Sequence, residues 1–585
     1  MTNIKPALSL FLATFFAPLS LVAAPHVDLP PVHVRAVDPL IKVFRDSPVE
    51  GDAAATADVA RGEHASFQVV VTSAPVDIKS VRCSATPFKL VRYRDGSLPQ
   101  RIHPYPVSAG VESTTAPTVR FVGYVGSSVS APEPSHDQLR PAPAMYPDPL
   151  LPDAKVDVHA GDNQPIWLTA SVPWELTPGD YESTATVTAE ILGKPTTATV
   201  PLQLKVYPAT VKSTRLNVTL WYQMWYFTDH EMPKRYSDAW FDIIRVYARN
   251  MREHRQNWGW VETQDAMKFS YDSSGKLQVD FTNFDKWLQL WFDEGFKMIE
   301  GQHYGFRTGG WTGPFDVQIW KPGKDGKFAP EKVTPDSPEA REFFSQYFPQ
   351  LQAHLERKGW LDKYVQHVAD EPLDRNADSY TTAAKLLRKF APKMRIMDAC
   401  QSEKLAGMID IWIPQLDHFA KGYDFFRSRQ KQGDEVWFYT CMYPQGDYAN
   451  RFLELPLIKT RLLHWMNYRY GATGYLHWGY NYWPPHVWQD AAEYRFTLLP
   501  AGDANIVYPG RNPKKFEVID SIRYEAMRDG IEDHELLSQV AERDRDLADK
   551  LAQQVIKGFT SYDTDVADFR QTRRELLEAA STGAR

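Results

Sequence analysis

The stretch Tyr364-Val365-Gln366-His367-Val368-Ala369-Asp370-Glu371-Pro372-Leu373-Asp374 decides the fold. Its apolar, β-branched start favours a short buried strand. Pro372 lacks an N–H and keeps Glu371 out of helical geometry, so the strand is expected to run Tyr364–Asp370 and stop at two carboxylates. A helix pattern follows over Asp378–Phe390, with Leu386, Leu387 and Phe390 on one face. In a β/α barrel the end of a strand, just before its helix, is where chemistry is done. Paired carboxylates there suit acid/base work on a glycosidic bond. The plainer alternative is that Asp370 caps the next helix and Glu371 is solvated.

Working outward, the chain after Thr214 alternates strand and helix patterns. Candidate strands are Leu216–Phe227, Asn257–Thr263, Phe296–Tyr304, Tyr364–Asp370, Arg395–Ala399, Ile409–Pro414, Glu435–Tyr443 and Thr473–Tyr480. Helix patterns between them include Asp238–His254, Phe284–Glu294, Pro338–Lys358 and Leu455–Tyr470. Eight strands in this rhythm predict a closed (β/α)8 TIM-type barrel. The competing open doubly wound sheet often carries a Gly-rich phosphate turn, and the sequence has none. Before the barrel, Val27–Tyr207 reads as β: Ser66–Thr72 and Tyr181–Glu190 alternate apolar and polar residues, and Thr199–Tyr207 closes the series. An antiparallel β-sandwich is expected there, with the proline-dense Arg101–Pro152 segment as long loops packed on the next domain. The fold class is therefore α/β with an all-β domain. Its parts are a signal peptide (1–24), a sandwich (25–210), a barrel (211–545) and a C-terminal helical tail (546–585), whose charged end Asp563–Arg585 reads as a further helix or a frayed terminus.

Lys5, the apolar run Leu8–Val22 and the small residues Ala23 and Ala24 form a secretory signal pattern. The mature protein is expected to be exported, periplasmic or secreted. No later stretch is long and apolar enough to span a membrane. The net charge of −7 is spread without a basic stripe, which sets nucleic acid aside. The three cysteines, Cys83, Cys400 and Cys441, are too few for a disulfide framework and are expected as buried free thiols, although Cys400 and Cys441 fall at strand ends that could meet. No metal or organic cofactor motif is present. Nothing in the sequence fixes an oligomeric state.

The predicted strand ends are rich in groups that recognise sugars: flat apolar faces and fixed polar groups. They include Trp225, Glu262, His303, Tyr443, Trp478, Asn481 and Trp483 as candidate substrate contacts. His367 is either another such contact or a core histidine making hydrogen bonds. The alternative for the whole set is an aromatic core that happens to lie near strand ends. A conventional hydrolase would draw a nucleophile from Glu262 or Glu300. A non-catalytic carbohydrate-binding protein is the reading from a different class.

The segments His367–Pro372, Gly474–Trp483 and Arg523–Asp533 resemble glycoside hydrolase family 123 and its wider group of uncharacterised domains. Tyr146–Pro152 and the Pro178–Tyr181 turn resemble the same group's N-terminal sandwich, so the resemblance covers most of the chain. It implies a retaining exo-β-N-acetylgalactosaminidase in which the sugar's 2-acetamido oxygen attacks the anomeric carbon. Asp370 would then orient the acetamido N–H, and Glu371 would serve as general acid and later base. Trp478 and Trp483 would form the stacking floor, and Asn481 and Tyr443 would contact hydroxyl or acetamido groups. Arg528 and Asp529 are either site residues or a structural ion pair. A glycan or glycoconjugate is the expected partner.

Overall fold

The computed structural model describes residues 32–582, except 74, 99–110, 225–230, 495–496 and 513–514. The signal segment and Trp225 therefore lie outside the described residues. The structure is a mixed α/β architecture.

All eight expected barrel-region strands are present, most of them shorter than their apolar runs. Trp258–Val261, Met298–Gly301, Tyr364–Gln366, Arg395–Ala399, Ile411–Ile413 and Glu435–Val436 form one six-stranded sheet with every pair parallel. Phe438–Tyr439, Gly474–His477 and Asn217–Leu220 form a three-stranded parallel sheet. One residue, Trp437, separates the sheets along the chain, and its N–H donates to Trp412 O at 2.8 Å. At the other edge Asn257 joins the strands Asn217–Leu220 and Trp258–Val261. Its N–H donates to Val218 O at 3.3 Å, and its side chain accepts from Val218 N at 3.0 Å. Inward residues at period two, Val365, Met397, Ala399, Ile411, Ile413, Tyr439 and Leu476, pack with Trp258 and Trp437 into a core of their own.

Helices cover the outside because their apolar stripes are buried there. Pro338–Lys358 is an example: the Ser337 side chain accepts from Ala340 N, Pro338 opens the helix, and Gly359 ends it at φ 68°. Its Phe343, Phe344, Tyr347, Phe348, Leu351 and Leu355 are buried. The alternation lapses after Arg395–Ala399, where a single 3-10 turn, Glu403–Leu405, stands in for a helix.

The N-terminal part holds a five-stranded and a six-stranded sheet that share one apolar core, with Phe67, Val69 and Val71 from the first and Ala185, Val187, Leu202 and Leu204 from the second. The expected antiparallel pairing holds except at one edge, where Ala55–Arg61 runs parallel to Lys194–Thr210. The Arg101–Pro152 segment is not all loop: Thr118–Ser127 and Ala144–Leu151 are paired strands. The prolines at 147 and 149 are tolerated because register shifts there interrupt the ladder. The stretch between these strands does pack on the barrel region, with Ala131 N donating to Glu454 at 2.9 Å and Glu133 N to Gln445 at 2.9 Å. The chain end is helical over Val566–Ser581 and docked, with Phe569, Leu576 and Leu577 buried and Arg573 paired to Glu63 and Asp533 at 2.8 Å each. Of the cysteines, all free, only Cys400 is fully buried; Cys83 and Cys441 are partly exposed.

The two parts are locked by a buried ion pair. Arg523, on the helix Ile522–Ala541, donates to both carboxylate oxygens of Asp148 at 3.0 and 2.8 Å, and to the carbonyls of Arg451, Gly502 and Asn505. Removing one member strands the other charge away from water. Arg523→Ala is expected to cost about 3–5 kcal/mol of stability in urea unfolding. A loss below about 1 kcal/mol would show that water relieves the site.

Candidate active site

The strand carrying the carboxylates stops at Gln366, four residues earlier than its composition suggests. Beyond it the backbone remains engaged, but not in a ladder. His367 N–H donates to Gly301 O at 3.1 Å, Val368 N–H to Asp398 Oδ2 at 2.9 Å, and Gly305 N–H to Val368 O at 2.7 Å. The chain then turns sharply at Glu371, whose φ is +44°. A non-glycine residue there costs about 1–2 kcal/mol, and such strain collects at working sites.

Three neighbouring strand ends are tied together beneath this turn. His367 is fully buried, with Nδ1 3.0 Å from Asp398 and Nε2 3.1 Å from Glu300. Burial opposes its charge, but the hydrogen bonds to Asp398 and Glu300 outweigh it and raise the imidazole to about 9. Trp221 Nε1 donates to the same Glu300 oxygen at 3.0 Å, and Tyr380 OH to Asp398 at 2.5 Å. Asp398 was not among the sequence candidates, because nothing local to Arg395–Ala399 marks it.

Above this network lies a cavity of about 620 Å³. Asp370 and Glu371 open onto it, with Trp221, Tyr439, Leu476, Trp478, Tyr443 and Asp503. Glu371 is half-buried and accepts a hydrogen bond from Tyr439 OH. Burial and then the neighbouring Asp370 charge push its carboxyl up to about 7, against the pull of Tyr439 and Arg307. The third carboxyl on the cavity, Asp503, is fully buried and raised to about 7, chiefly by burial. Neither of its oxygens has a well-formed hydrogen bond, although Trp478 and the Met442 N–H lie close enough to favour its charge. His477 Nε2 lies 3.4 Å from Asp503 Oδ1. Gln401, Gln415 and His418 add polar groups to the lining.

The structure thus gathers Asp370, Glu371, Tyr443 and Trp478 of the expected set. Asn481 and Trp483 are elsewhere: Asn481 is buried and exchanges hydrogen bonds with the Gln223 backbone, and Trp483 Nε1 donates to Val507 O at 2.7 Å. They brace the loops after the first and last strands instead of facing a ligand. His367 and His303 sit below the cavity floor, His303 with Nε2 3.4 Å from Asp398. Glu262 pairs with Arg235, and Glu300 is fully buried under Trp221, so neither possible nucleophile lines the cavity. Arg528 forms buried ion pairs with Glu525 and Asp529 at 3.0 and 2.9 Å, the structural alternative. Tyr439 and Trp221 fall within the expected strands Glu435–Tyr443 and Leu216–Phe227, which assigned them no role. Asp503, in a loop that reads as a plain turn, had no signal.

Two groups among the described residues have ligand atoms close enough to hold a metal ion. One is His303, His367 and Asp398, whose His367 nitrogens already face two carboxylates. The other is His254, Asp520 and Glu525, at the seam between the two parts of the chain.

Residues 212–540 match the model of the glycoside hydrolase 123 catalytic domain. The chain belongs to glycoside hydrolase family 123. Among solved structures it is similar to a family 123 glycoside hydrolase from Clostridium perfringens, described for glycolipid glycan hydrolysis. The TM-score is 0.71 at 15% identity, covering 95% of this chain and 97% of that one. An endo-β-1,4-mannanase from Thermotoga petrophila aligns at TM-score 0.32 and 10% identity, over 56% of this chain and 78% of its own. A β-glucuronidase from Bacteroides uniformis aligns at 0.24 and 10%, over 72% and 44%. A comparison with curated protein sequences finds no match. No described helix is long and apolar enough to cross a membrane.

Two outcomes follow from the charges. His367 has a folded pKa near 9 against about 6.5 when unfolded. Its contribution is full below pH 6.5 and disappears as pH rises through 9. Unfolding free energy should therefore drop over that window by on the order of 3 kcal/mol, and His367→Gln should flatten that drop. At Glu371, the Tyr439 hydrogen bond lowers the pKa, so Tyr439→Phe should move the alkaline limb of kcat/KM to higher pH. A limb that stays in place would mean that another group sets it.

Proposed function

We propose that this family 123 hydrolase is an exported, exo-acting β-N-acetylhexosaminidase of the galactosaminidase type, in which the substrate's 2-acetamido group takes the place of an enzyme nucleophile. The acetamido oxygen attacks the anomeric carbon as the bond to the leaving oxygen breaks. Glu371 gives its proton to that oxygen, and Asp370, as a carboxylate, accepts the acetamido N–H and offsets the positive charge of the oxazolinium. Water then adds at the anomeric carbon, breaking its bond to the acetamido oxygen and restoring the acetamide, while Glu371 takes a proton from that water.

The observation that carries this reading is the state of Glu371. It is half-buried on the cavity, hydrogen-bonded by Tyr439, and raised to about 7, which keeps a proton available near neutral pH. The position of Glu262 and Glu300 away from the cavity favours the substrate as nucleophile over a conventional carboxylate. Glycolipid glycan hydrolysis by the Clostridium relative is in keeping with an N-acetylhexosamine end as target.

On the same reading the two parallel sheets form one closed (β/α)8 barrel over 211–545, and the preceding sheets form a β-sandwich over 25–210. Residues 546–585 are the helical tail, and residues 1–24 direct export and are removed. The partner is a glycan or glycoconjugate.

The test is hydrolysis of aryl β-glycosides of GalNAc, GlcNAc, Gal and Glc by the mature chain. Activity should be confined to the acetamido sugars, and Glu371→Gln should lower kcat/KM by about 10²–10⁴-fold. Asp370→Asn should lower kcat more than it raises KM. Turnover of Gal or Glc glycosides at comparable rates would exclude acetamido participation.

A further inference from the structure

After the strand Met298–Gly301 the chain makes an excursion, a three-stranded antiparallel sheet of Gly305–Arg307, Phe315–Pro322 and Phe328–Val333, whose first turn reaches the cavity. Its first turn is Thr308-Gly309-Gly310-Trp311-Thr312-Gly313. Gly309 and Gly310 have φ of 71° and 98°, and a Cβ on Gly313 would meet Thr308 O at 1.6 Å, so the turn needs its glycines. The turn presents Trp311, which lines the cavity yet is 57% exposed.

An exposed tryptophan on a loose loop means little, but this turn is fastened to the catalytic connection. The Arg307 guanidinium lies 3.8 Å from the Trp311 ring centroid and donates to the carbonyl of Glu371 itself. Asn376 Nδ2 donates to Gly313 O at 3.1 Å, while its Oδ1 accepts from Leu373 N at 2.7 Å. Phe315 N–H donates to Ser379 Oγ at 3.0 Å. The turn and the segment 371–379 therefore behave as one body, and Trp311 is held at a fixed place relative to the carboxyl pair. A rigid aromatic loses little entropy on binding, which suits a stacking platform.

We propose that Trp311 is the aglycone platform: it stacks against the apolar face of the pyranose attached to the scissile oxygen, and Arg307 positions it. This rests on the assignment of Glu371 as the acid for that oxygen, which puts the aglycone on the side of Glu371. The substrate class is then a glycan whose terminal N-acetylhexosamine is linked to a second sugar ring. Tyr443, 44% exposed, is a further aromatic on the cavity lining.

The test is calorimetric titration of the full mature chain on a Glu371→Gln background, which prevents turnover. The two probes are a β-linked N-acetylgalactosaminyl-galactose disaccharide and methyl β-N-acetylgalactosaminide. Adding Trp311→Ala should weaken the disaccharide about tenfold relative to the methyl glycoside, and Trp311→Phe should restore most of the difference. Trp174→Ala, an exposed tryptophan of the N-terminal sheets beside Lys212, should leave the ratio alone. In active protein, Arg307→Lys should raise KM for the disaccharide more than it lowers kcat. Equal weakening of both probes by Trp311→Ala, or none, overturns the platform while the hydrolase reading stands. Folded Glu371→Gln protein that binds neither probe overturns the functional reading and the platform with it.

Discussion

The site depends on one buried imidazolium. His367 stands between Glu300 and Asp398, and these three residues belong to three adjacent strand ends. A charge removed from water is tolerated only when its partners and geometry are good. Here the cation cancels one of two carboxylates, while Trp221 and Tyr380 supply neutral donors to each. The arrangement fixes where the central strand stops. Val368 N–H is taken by Asp398 instead of a ladder partner, so the chain leaves the sheet, and two and three residues later Asp370 and Glu371 stand at the cavity. The left-handed turn at Glu371 is held from outside, by Arg307 on its carbonyl and Tyr439 on its carboxyl.

The opposite wall is built by the rest of the chain. Asp503 follows Gly502, whose carbonyl accepts from Arg523, and Arg523 is paired with Asp148 of the N-terminal sheets. Arg451, next to Asp503, is itself buried and donates to the carbonyls of Asp503 and Gly479. The N-terminal sheets thus help shape the cavity without lining it. Buried ion pairs with Asp148 and Glu63 of those sheets account for Arg523 and Arg573 at buried positions of the helices 522–541 and 566–581.

Much of this was legible in the sequence, and what was not has physical causes. All eight strand segments were marked by apolar, β-branched runs. Their ends were overshot because residues such as Val368 and Ala369 stay extended and buried after leaving the ladder. Asp370 and Glu371 stood out because Pro372 forbids a continuing helix. Asn481 and Trp483 share a motif with Trp478 but point into the supporting loops, since neighbouring residues on an irregular strand end diverge. Glu371 and Tyr439 are 68 residues apart, and Asp503 lies in a turn with no pattern of its own, so only the closed structure unites them. The two prolines of the Ala144–Leu151 strand hid it by suggesting loop.

On the proposed reading the substrate's acetamido oxygen is the nucleophile, with Glu371 as its acid partner. The most direct measurement is kcat/KM for aryl β-N-acetylgalactosaminides whose acetyl methyl carries zero, one, two or three fluorines. Fluorine drains the carbonyl oxygen of nucleophilicity and alters the anomeric carbon little. Acetamido participation should give a steep, monotonic fall across the series. A flat series would contradict it and return the search to a nucleophile supplied by the protein.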